Sequence, residues 1–164
     1  RGSMSELILI AATSKNNIIS IDGKIPWGFF KEDMRKFKQE TLNHPVIMGQ
    51  RTYESILERN GKPLSYRTNI VLSDDFSFTD ERIVVARTIL EAVCHAYDTD
   101  KPAFIIGGES VYKQMLPYSS YMYLTRVNQK PEGDAFFPEF SLEQWEEVYR
   151  EDYFGYSFVN YKKN

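Results

Sequence analysis

Short apolar runs recur through the first two thirds of the chain, separated by longer stretches of mixed character. Each run is nearly unbroken, as in strands of a parallel sheet that are buried on both faces. The pattern therefore predicts five buried strands, at 7–12, 45–49, 69–73, 83–86 and 103–107.

The intervening segments carry apolar residues at helical spacing. They predict four helices, at 30–42, 51–58, 88–98 and 109–116. The third has a capping box, with Thr88 as N-cap and Glu91 three residues later. Strands that alternate with helices indicate an α/β sheet built from right-handed crossovers. After Pro117 the segments "YMYLTRV", "WEEVYR" and "YSFVNYKK" alternate, which predicts antiparallel strands at one edge.

The first helix places an acid at the border of its apolar side. Four residues at spacing i, i+4, i+7 and i+11 form the apolar stripe, namely Phe30, Met34, Phe37 and Thr41. Asp33 borders this stripe, whereas Glu32 points to the opposite side with Lys36 and Gln39. Acids near a helix N-terminus also complement the helix dipole, and spacing alone favours that simpler interpretation.

Two strand-to-helix turns are candidates for binding phosphate. One passes from Gly49 to Arg51 and Thr52, and the other from Gly107–Gly108 to Glu109. Glycine allows close approach of a ligand, and the free N–H groups of a first helical turn attract anions. Neither turn matches G-x-G-x-x-G or the P-loop. Glycines that serve only the turn geometry remain the alternative.

Three further residues are candidates for a ligand pocket. Trp27 follows a stiffening proline and leads into the helix of Asp33, so the two could wall a pocket for a flat, nitrogen-rich heterocycle. Arg67 is either a solvated loop residue or a bidentate clamp for a carboxylate. Thr125 lies in a predicted strand, where threonine is common because of its β-propensity; alternatively, its hydroxyl could form a hydrogen bond with Asp33.

Composition narrows the class of protein. The 164 residues suit one domain, and the net charge of −3 gives no basic field for nucleic acid. With one cysteine and two distant histidines, we predict no disulfide and no metal site. "LILIAA" is too short to cross a membrane, so we expect a cytoplasmic protein. We also expect it to be a monomer. "RGS" has the character of an expression-tag remnant, which leaves 4–164 as a single domain.

Six segments in order resemble the dihydrofolate reductase family: "LIAATSKNNIISIDGKIPW", "FKQETLNHPVIMGQRTYESI", "GKPLSYRTNIVLS", "FIIGGESVYKQMLP", "MYLTRV" and "EGDAFFPEF". The resemblance runs from about Leu7 to Tyr161. It implies a single-domain α/β fold, with a mixed, mainly parallel eight-stranded sheet flanked by four helices. The implied reaction reduces 7,8-dihydrofolate to 5,6,7,8-tetrahydrofolate with hydride from NADPH. Antifolates such as methotrexate or trimethoprim are the implied inhibitors.

The resemblance also assigns site residues. Asp33 would bind the 2-amino group and N3 of the pterin, with Thr125 supporting it and Trp27 holding a water. The implied substrate-binding residues are Ile10, Ala12, Asp33, Met34, Phe37, Leu64, Arg67, Ile106 and Thr125. The implied cofactor-binding residues are Ala12, Ile19, Gly49, Arg51, Thr52, Leu72, Ser73, Arg87, Ile106, Gly107, Gly108, Glu109, Ser110, Val111 and Tyr112. The resemblance further implies a cis bond between Gly107 and Gly108, and a lid loop over 14–27.

The chain departs from the family pattern at three positions. Ser20 stands where glycine is common, Gln50 where an arginine often follows "IMG", and Ala135 where threonine is usual. Because Gln50 replaces that arginine, the 2′-phosphate of NADPH would be bound by Arg51, with Arg87 as a second candidate. Two alternatives are a reductase of the same fold acting on a pyrimidine of riboflavin synthesis, and a ligand-binding module without turnover.

Overall fold

The structure, a computed structural model, describes residues 6–28 and 30–164. The proposed tag remnant, 1–3, lies outside the described residues. The strands are β1 Leu7–Ser14, β2 Ile18–Ser20, β3 Pro45–Gly49, β4 Thr68–Leu72, β5 Val84–Ala86, β6 Ala103–Gly107, β7 Tyr121–Val127, β8 Ala135–Phe136, β9 Trp145–Tyr153 and β10 Tyr156–Lys163. The helices are α1 Lys31–Thr41, α2 Gln50–Asn60, α3 Ile89–Asp98 and α4 Glu109–Met115, followed by a 3₁₀ turn at Leu116–Tyr118.

Eight strands form one mixed sheet in the order β5-β4-β3-β6-β1-β7-β10-β9. The five strands that the apolar runs predicted are all present and pair in parallel. One expectation was wrong in part, because β7 is parallel to β1 and the antiparallel pairing begins at β10. Alternating apolar and polar residues indicate a strand with one exposed face, but they do not indicate whether that strand runs parallel or antiparallel to its neighbour.

A second, two-stranded sheet pairs β2 with β8. The first of these segments lies within the stretch 14–27 that was expected to form a lid loop. Strands of three and two residues are too short to show a period.

Apolar side chains cover both faces of the large sheet. Leu9, Ile47 and Ile105 are fully buried on one face, and Val46 and Met48 are fully buried on the other. Neighbouring residues of one strand point to opposite faces, so this distribution explains the unbroken apolar runs. Helices can therefore pack on both faces.

Helix α1 departs from the predicted pattern of faces. Its half-buried or buried residues are Asp33, Lys36, Phe37, Glu40 and Thr41, whereas Met34 is 47% exposed. The prediction that Lys36 lies on the solvent side with Glu32 is wrong. The helix begins only at Lys31, so Phe30 is its N-cap and does not define the buried face. At about 100° per residue, Lys36 lies about 40° from Glu40 and 60° from Asp33 on the helical wheel.

The predicted cap of α3 is present, since Thr88 Oγ1 accepts a hydrogen bond from the backbone N–H of Glu91 at 3.1 Å. The carboxylate of Glu91 accepts from the backbone of Arg87 instead of from Thr88. None of the helices in the described ranges is long and apolar enough to span a bilayer.

Candidate active site

A cleft of about 1420 Å³ opens at the carboxyl ends of β1, β3 and β6, between α1 on one side and α2 and α4 on the other. Every predicted substrate- and cofactor-binding residue lines it. Trp27 does not belong to the lining and lies half-buried in the turn before α1. Its role in holding a water stays a prediction. No cluster of His, Cys, Asp or Glu suited to a metal occurs within the described part of the chain.

Asp33 and Thr125 meet at the floor of the cleft. The Oγ1 hydroxyl of Thr125 donates to Asp33 Oδ1 at 2.6 Å, joining α1 to β7. Burial raises the pKa of Asp33, and the hydrogen bond from Thr125 partly offsets that rise. Glu32 is exposed, so Asp33 is the acid that α1 presents to the cleft. The carboxylate can accept hydrogen bonds from a ligand with two adjacent donors.

The ends of β1 and β6 form one wall of the cleft with Tyr112 of α4. The buried hydroxyl of Tyr112 donates to the backbone carbonyl of Ile10 at 2.7 Å. Burial, with a smaller contribution from the charge of Asp33, raises the pKa of Tyr112, so its phenol stays protonated as a donor. This bond fixes α4 against β1 across a separation of 102 residues.

The glycine turns leave room that side chains would fill. The Gly107–Gly108 peptide is cis, as the resemblance implied. A Cβ on Gly107, where φ is +126°, would lie 3.5 Å from the Tyr112 ring and 3.6 Å from Thr52 Oγ1. Helix α2 has Gly49 as N-cap and no side-chain cap, so its first N–H groups face the cleft without a side-chain acceptor. These features fit the phosphates of a dinucleotide.

The side chain of Arg87 is fixed by hydrogen bonds to the loop that follows β4. Its guanidinium donates to the carbonyls of Asp75 at 2.6 Å and Phe78 at 3.0 Å, and lies 5.3 Å from the ring centroid of Phe76. Arg51, by contrast, is exposed in the first turn of α2. Of the two predicted cations, Arg51 therefore has an exposed side chain, whereas Arg87 is held by loop carbonyls.

Gln50 is fixed by two side chains. Its amide oxygen accepts from Ser73 Oγ at 2.5 Å, and its amide nitrogen donates to Glu54 at 3.0 Å. Gln50 therefore ties the end of β4 to α2 at the rim of the cleft. Sequence reasoning identified the substitution but could not show this bridge, since Ser73 is 23 residues away.

Arg67 lies at the far end of the cleft. Its Nε donates to the carbonyl of Ser65 at 2.8 Å, and its NH1 donates to Thr41 Oγ1 at 3.0 Å. Partial burial lowers the pKa of Arg67. Asn69 holds the preceding turn through bonds to both backbone groups of Leu64.

The other two departures from the family pattern are neighbours. Ser20 pairs with Ala135 across the small sheet, and Asp134 donates its backbone N–H to the carbonyl of Ser20 at 3.1 Å. The Asp134 carboxylate accepts from the backbone of Asp22 at 3.0 Å. Ser20 has strand backbone rather than left-handed backbone, so serine is accommodated there without strain.

Further polar and aromatic residues that sequence reasoning did not assign to the site also line the cleft, among them Lys36, Glu40, Tyr123 and Asn160. The sequence did contain a signal for Lys36 and Glu40, because with Asp33 they have the spacing i, i+3 and i+7, which places all three on one side of a helix.

The fold and the cleft define an α/β enzyme that can place a dinucleotide beside a ligand held by an acid. The dihydrofolate reductase family model matches residues 6–163. The dihydrofolate reductase of Buchnera aphidicola is 43% identical over 143 residues, covering 87% of this chain and 85% of that protein. The dihydrofolate reductase of Haemophilus influenzae is 41% identical over 138 residues, covering 84% and 82%. A structure of the Enterococcus faecalis enzyme, complexed with NADP(H) and RAB-propyl, superposes with a TM-score of 0.85 at 28% identity, covering 97% of this chain and 96% of that one.

The chain belongs to the dihydrofolate reductase family. The predicted fold and the predicted class, an oxidoreductase, are confirmed by that membership. It also favours this family over the two alternatives, a pyrimidine reductase and a binding module.

Proposed function

We propose that this chain reduces 7,8-dihydrofolate to 5,6,7,8-tetrahydrofolate with NADPH, using Asp33 as the acid that binds the pterin. The carboxylate of Asp33, held by Thr125 at 2.6 Å on the floor of the cleft, is the observation that carries the proposal. An ionised carboxylate there pairs with the 2-amino and N3 donors of the pterin and fixes its orientation.

The pterin and its tail occupy the half of the cleft under α1. Ile10, Phe37 and Leu64 supply apolar walls, and Arg67 meets the α-carboxylate of the glutamate tail with the donors that Ser65 and Thr41 leave free. Asp33 orients and polarises the ring, while a water delivers the proton to N5. Trp27 is proposed to position a water of that network.

NADPH occupies the half between the glycine turns and supplies the hydride. The free N–H groups at the start of α2 bind phosphate, and Thr52 and the turn at Gly107 form the cradle beside it. Arg51 meets the 2′-phosphate, because Arg87 is engaged with loop carbonyls.

Replacement of Asp33 by asparagine tests the role of the acid. Asp33→Asn keeps the shape and removes the charge, so we expect kcat/KM for dihydrofolate to fall by about 100-fold or more. Oxidation of NADPH, followed by absorbance, measures the effect. Glu32→Gln is the matched control, since Glu32 is the exposed neighbour on the same helix. Equal activity of Asp33→Asn and Glu32→Gln would contradict the assignment.

Methotrexate or trimethoprim is proposed to occupy the same half of the cleft as the pterin. We also propose one domain over 4–164, a monomeric state and a cytosolic location, as composition and the one large sheet favour.

A further inference from the structure

Arg126 is a half-buried cation on β7. It follows Thr125 directly, so its side chain points to the face of the sheet opposite the cleft floor. Burial lowers the pKa of Arg126, while Tyr161 raises that pKa and Arg150 lowers it. Within the described residues no carboxylate forms an ion pair with Arg126. A cation that is partly removed from water without a counter-ion depends on its hydrogen bonds.

Those hydrogen bonds join two central strands to a turn. The NH1 nitrogen of Arg126 donates to Thr13 Oγ1 at 2.6 Å and to Asn17 Oδ1 at 3.1 Å. Thr13 is fully buried and lies beside Arg126 in the register of β1 and β7. Asn17 lies beyond the end of β1, in the turn that leads to β2. The guanidinium therefore ties this turn to the interior of the eight-stranded sheet.

Asn17 shapes the turn through its backbone as well. Its φ is +63°, in the left-handed region that asparagine tolerates because its side chain is short and polar. Its backbone N–H donates to the carbonyl of Ser14 at 3.0 Å, and its carbonyl accepts from Phe137 at 2.8 Å. The bond between the Asn17 side chain and Arg126 is additional to these, and it is the bond that joins Asn17 to β7.

The turn leads directly into β2, which borders the cleft. Ile18 follows Asn17, is buried, and donates its backbone N–H to Ser14 Oγ at 2.9 Å. Ile19 comes next and lines the cleft. Only one residue therefore separates the side chain in the cleft from the residue that Arg126 holds.

Other side-chain and backbone bonds of this turn reach a loop rather than a strand. Asn16 Nδ2 donates to the carbonyl of Pro131 at 2.9 Å, and the backbone N–H of Lys15 donates to the carbonyl of Gln129 at 2.9 Å. Both acceptors belong to the connection between β7 and β8. Because loops are more mobile than the strands they connect, the bond from Arg126 is the firmer reference for the turn.

We propose that Arg126 is a positioning residue that holds β2, and with it Ile19, at the edge of the cofactor half of the cleft. It acts through Asn17, and it does not line the cleft itself. The proposal rests on the proposed function, in which NADPH occupies that half, and on the predicted place of Ile19 beside the cofactor. Loss of Arg126 leaves the pterin half unchanged, since Asp33 and Thr125 lie on the other face of the sheet.

Binding of NADPH and of trimethoprim, each measured by titration calorimetry, tests the proposal. Arg126→Met keeps an unbranched side chain and removes both hydrogen bonds. We expect the Kd for NADPH to rise by about 3- to 10-fold, since part of the effect of losing a charge-assisted hydrogen bond reaches the ligand. The Kd for trimethoprim should change by less than about 2-fold. Arg126→Lys, which keeps one charged donor, should recover part of the affinity for NADPH.

Asn17→Gly removes the same bond from its other end. Glycine adopts a φ of +63° without strain, so the backbone of the turn is kept. The Kd for NADPH should rise by a factor similar to that in Arg126→Met. Arg126→Met added to Asn17→Gly should then change the Kd by less than about 2-fold, because the two residues act through one bond. Asn17→Gly also tests the proposal if Arg126→Met does not fold.

Arg150→Met is the matched control, because Arg150 is a cation of the same sheet that pairs with Glu147 and Asp152 instead. It should change neither Kd. Three results would overturn the proposal: an unchanged Kd for NADPH in both Arg126→Met and Asn17→Gly, an equal loss for the two ligands, or a full effect of Arg126→Met in the Asn17→Gly background. Turnover of dihydrofolate by the wild type reports the proposed function separately, so the two failures are distinguishable.

Discussion

Arg67 has a structural role in the fold in addition to the binding role proposed for it. Two of its nitrogens bond Ser65 and Thr41, which fixes the plane of the guanidinium at the end of the cleft. We expect Arg67→Leu to raise the KM for dihydrofolate by about 10- to 100-fold with a small change in kcat, because the lost contact is equally strong in ground and transition states. Steady-state kinetics with a pterin that lacks the glutamate tail is the control, and an equal loss with that substrate would exclude the clamp.

Single residues were predictable where local spacing determines their position. Asp33 could be found because the distance to Phe37 and Thr41 fixes its side of α1, and the structure brings it to Thr125. Lys36 was misplaced because the apolar stripe was centred on Phe30, which precedes the helix. The bridge from Gln50 to Ser73 was beyond prediction, since one sequence does not tell which loop faces a given side chain.

Among the secondary-structure elements, the small β2–β8 sheet depends on a glycine beside it. A Cβ on Gly133 would lie 2.4 Å from Ile18 Cγ2 and 2.8 Å from the carbonyl oxygen of Ser20, so β2 must move. We expect Gly133→Ala to lower the free energy of unfolding by about 1–3 kcal/mol, measured by urea denaturation, and to lower kcat/KM because β2 carries the cleft residue Ile19. Glu132→Ala, at the exposed neighbour, should change neither. Wild-type stability and activity in Gly133→Ala would show that the two strands do not restrain each other.

Elements were predictable in proportion to their length and burial. The buried strands β1, β3, β4, β5 and β6 show as apolar runs because helices or loops cover both faces of the sheet. The direction of β7 was not predictable, since alternation follows exposure and β7 is half-buried whichever way it runs. Pairing of β2 with β8 depends on contacts across more than 100 residues and leaves no local pattern.

At the scale of the whole molecule, the order of the strands explains where the cleft opens and why it has room for the two proposed ligands. The connections from β1 and β3 lead to α1 and α2, and the carboxyl ends of the strands between them open a crevice, as at the switch point of other open α/β sheets. Asp33 faces the half under α1, and Gly49, Thr52 and Gly107 face the other half. The two halves meet at the ends of β1 and β6, where Ile10 is fixed by Tyr112.

Thermal unfolding with both ligands tests this arrangement in the intact protein. We expect a monomer of 19.2 kDa by light scattering and one unfolding transition, because the eight-stranded sheet carries both halves of the cleft. Methotrexate and NADPH should each raise the Tm, with about 2.7 kcal/mol of stabilisation at a ligand concentration 100 times Kd. Asp33→Asn should lose most of the methotrexate shift and keep the NADPH shift, since Asp33 lies in the half of the cleft that is proposed for the pterin and not in the half proposed for NADPH. Two separate unfolding transitions would contradict a single cooperative unit. Loss of both Tm shifts in Asp33→Asn would contradict the proposal that the two ligands bind through different residues.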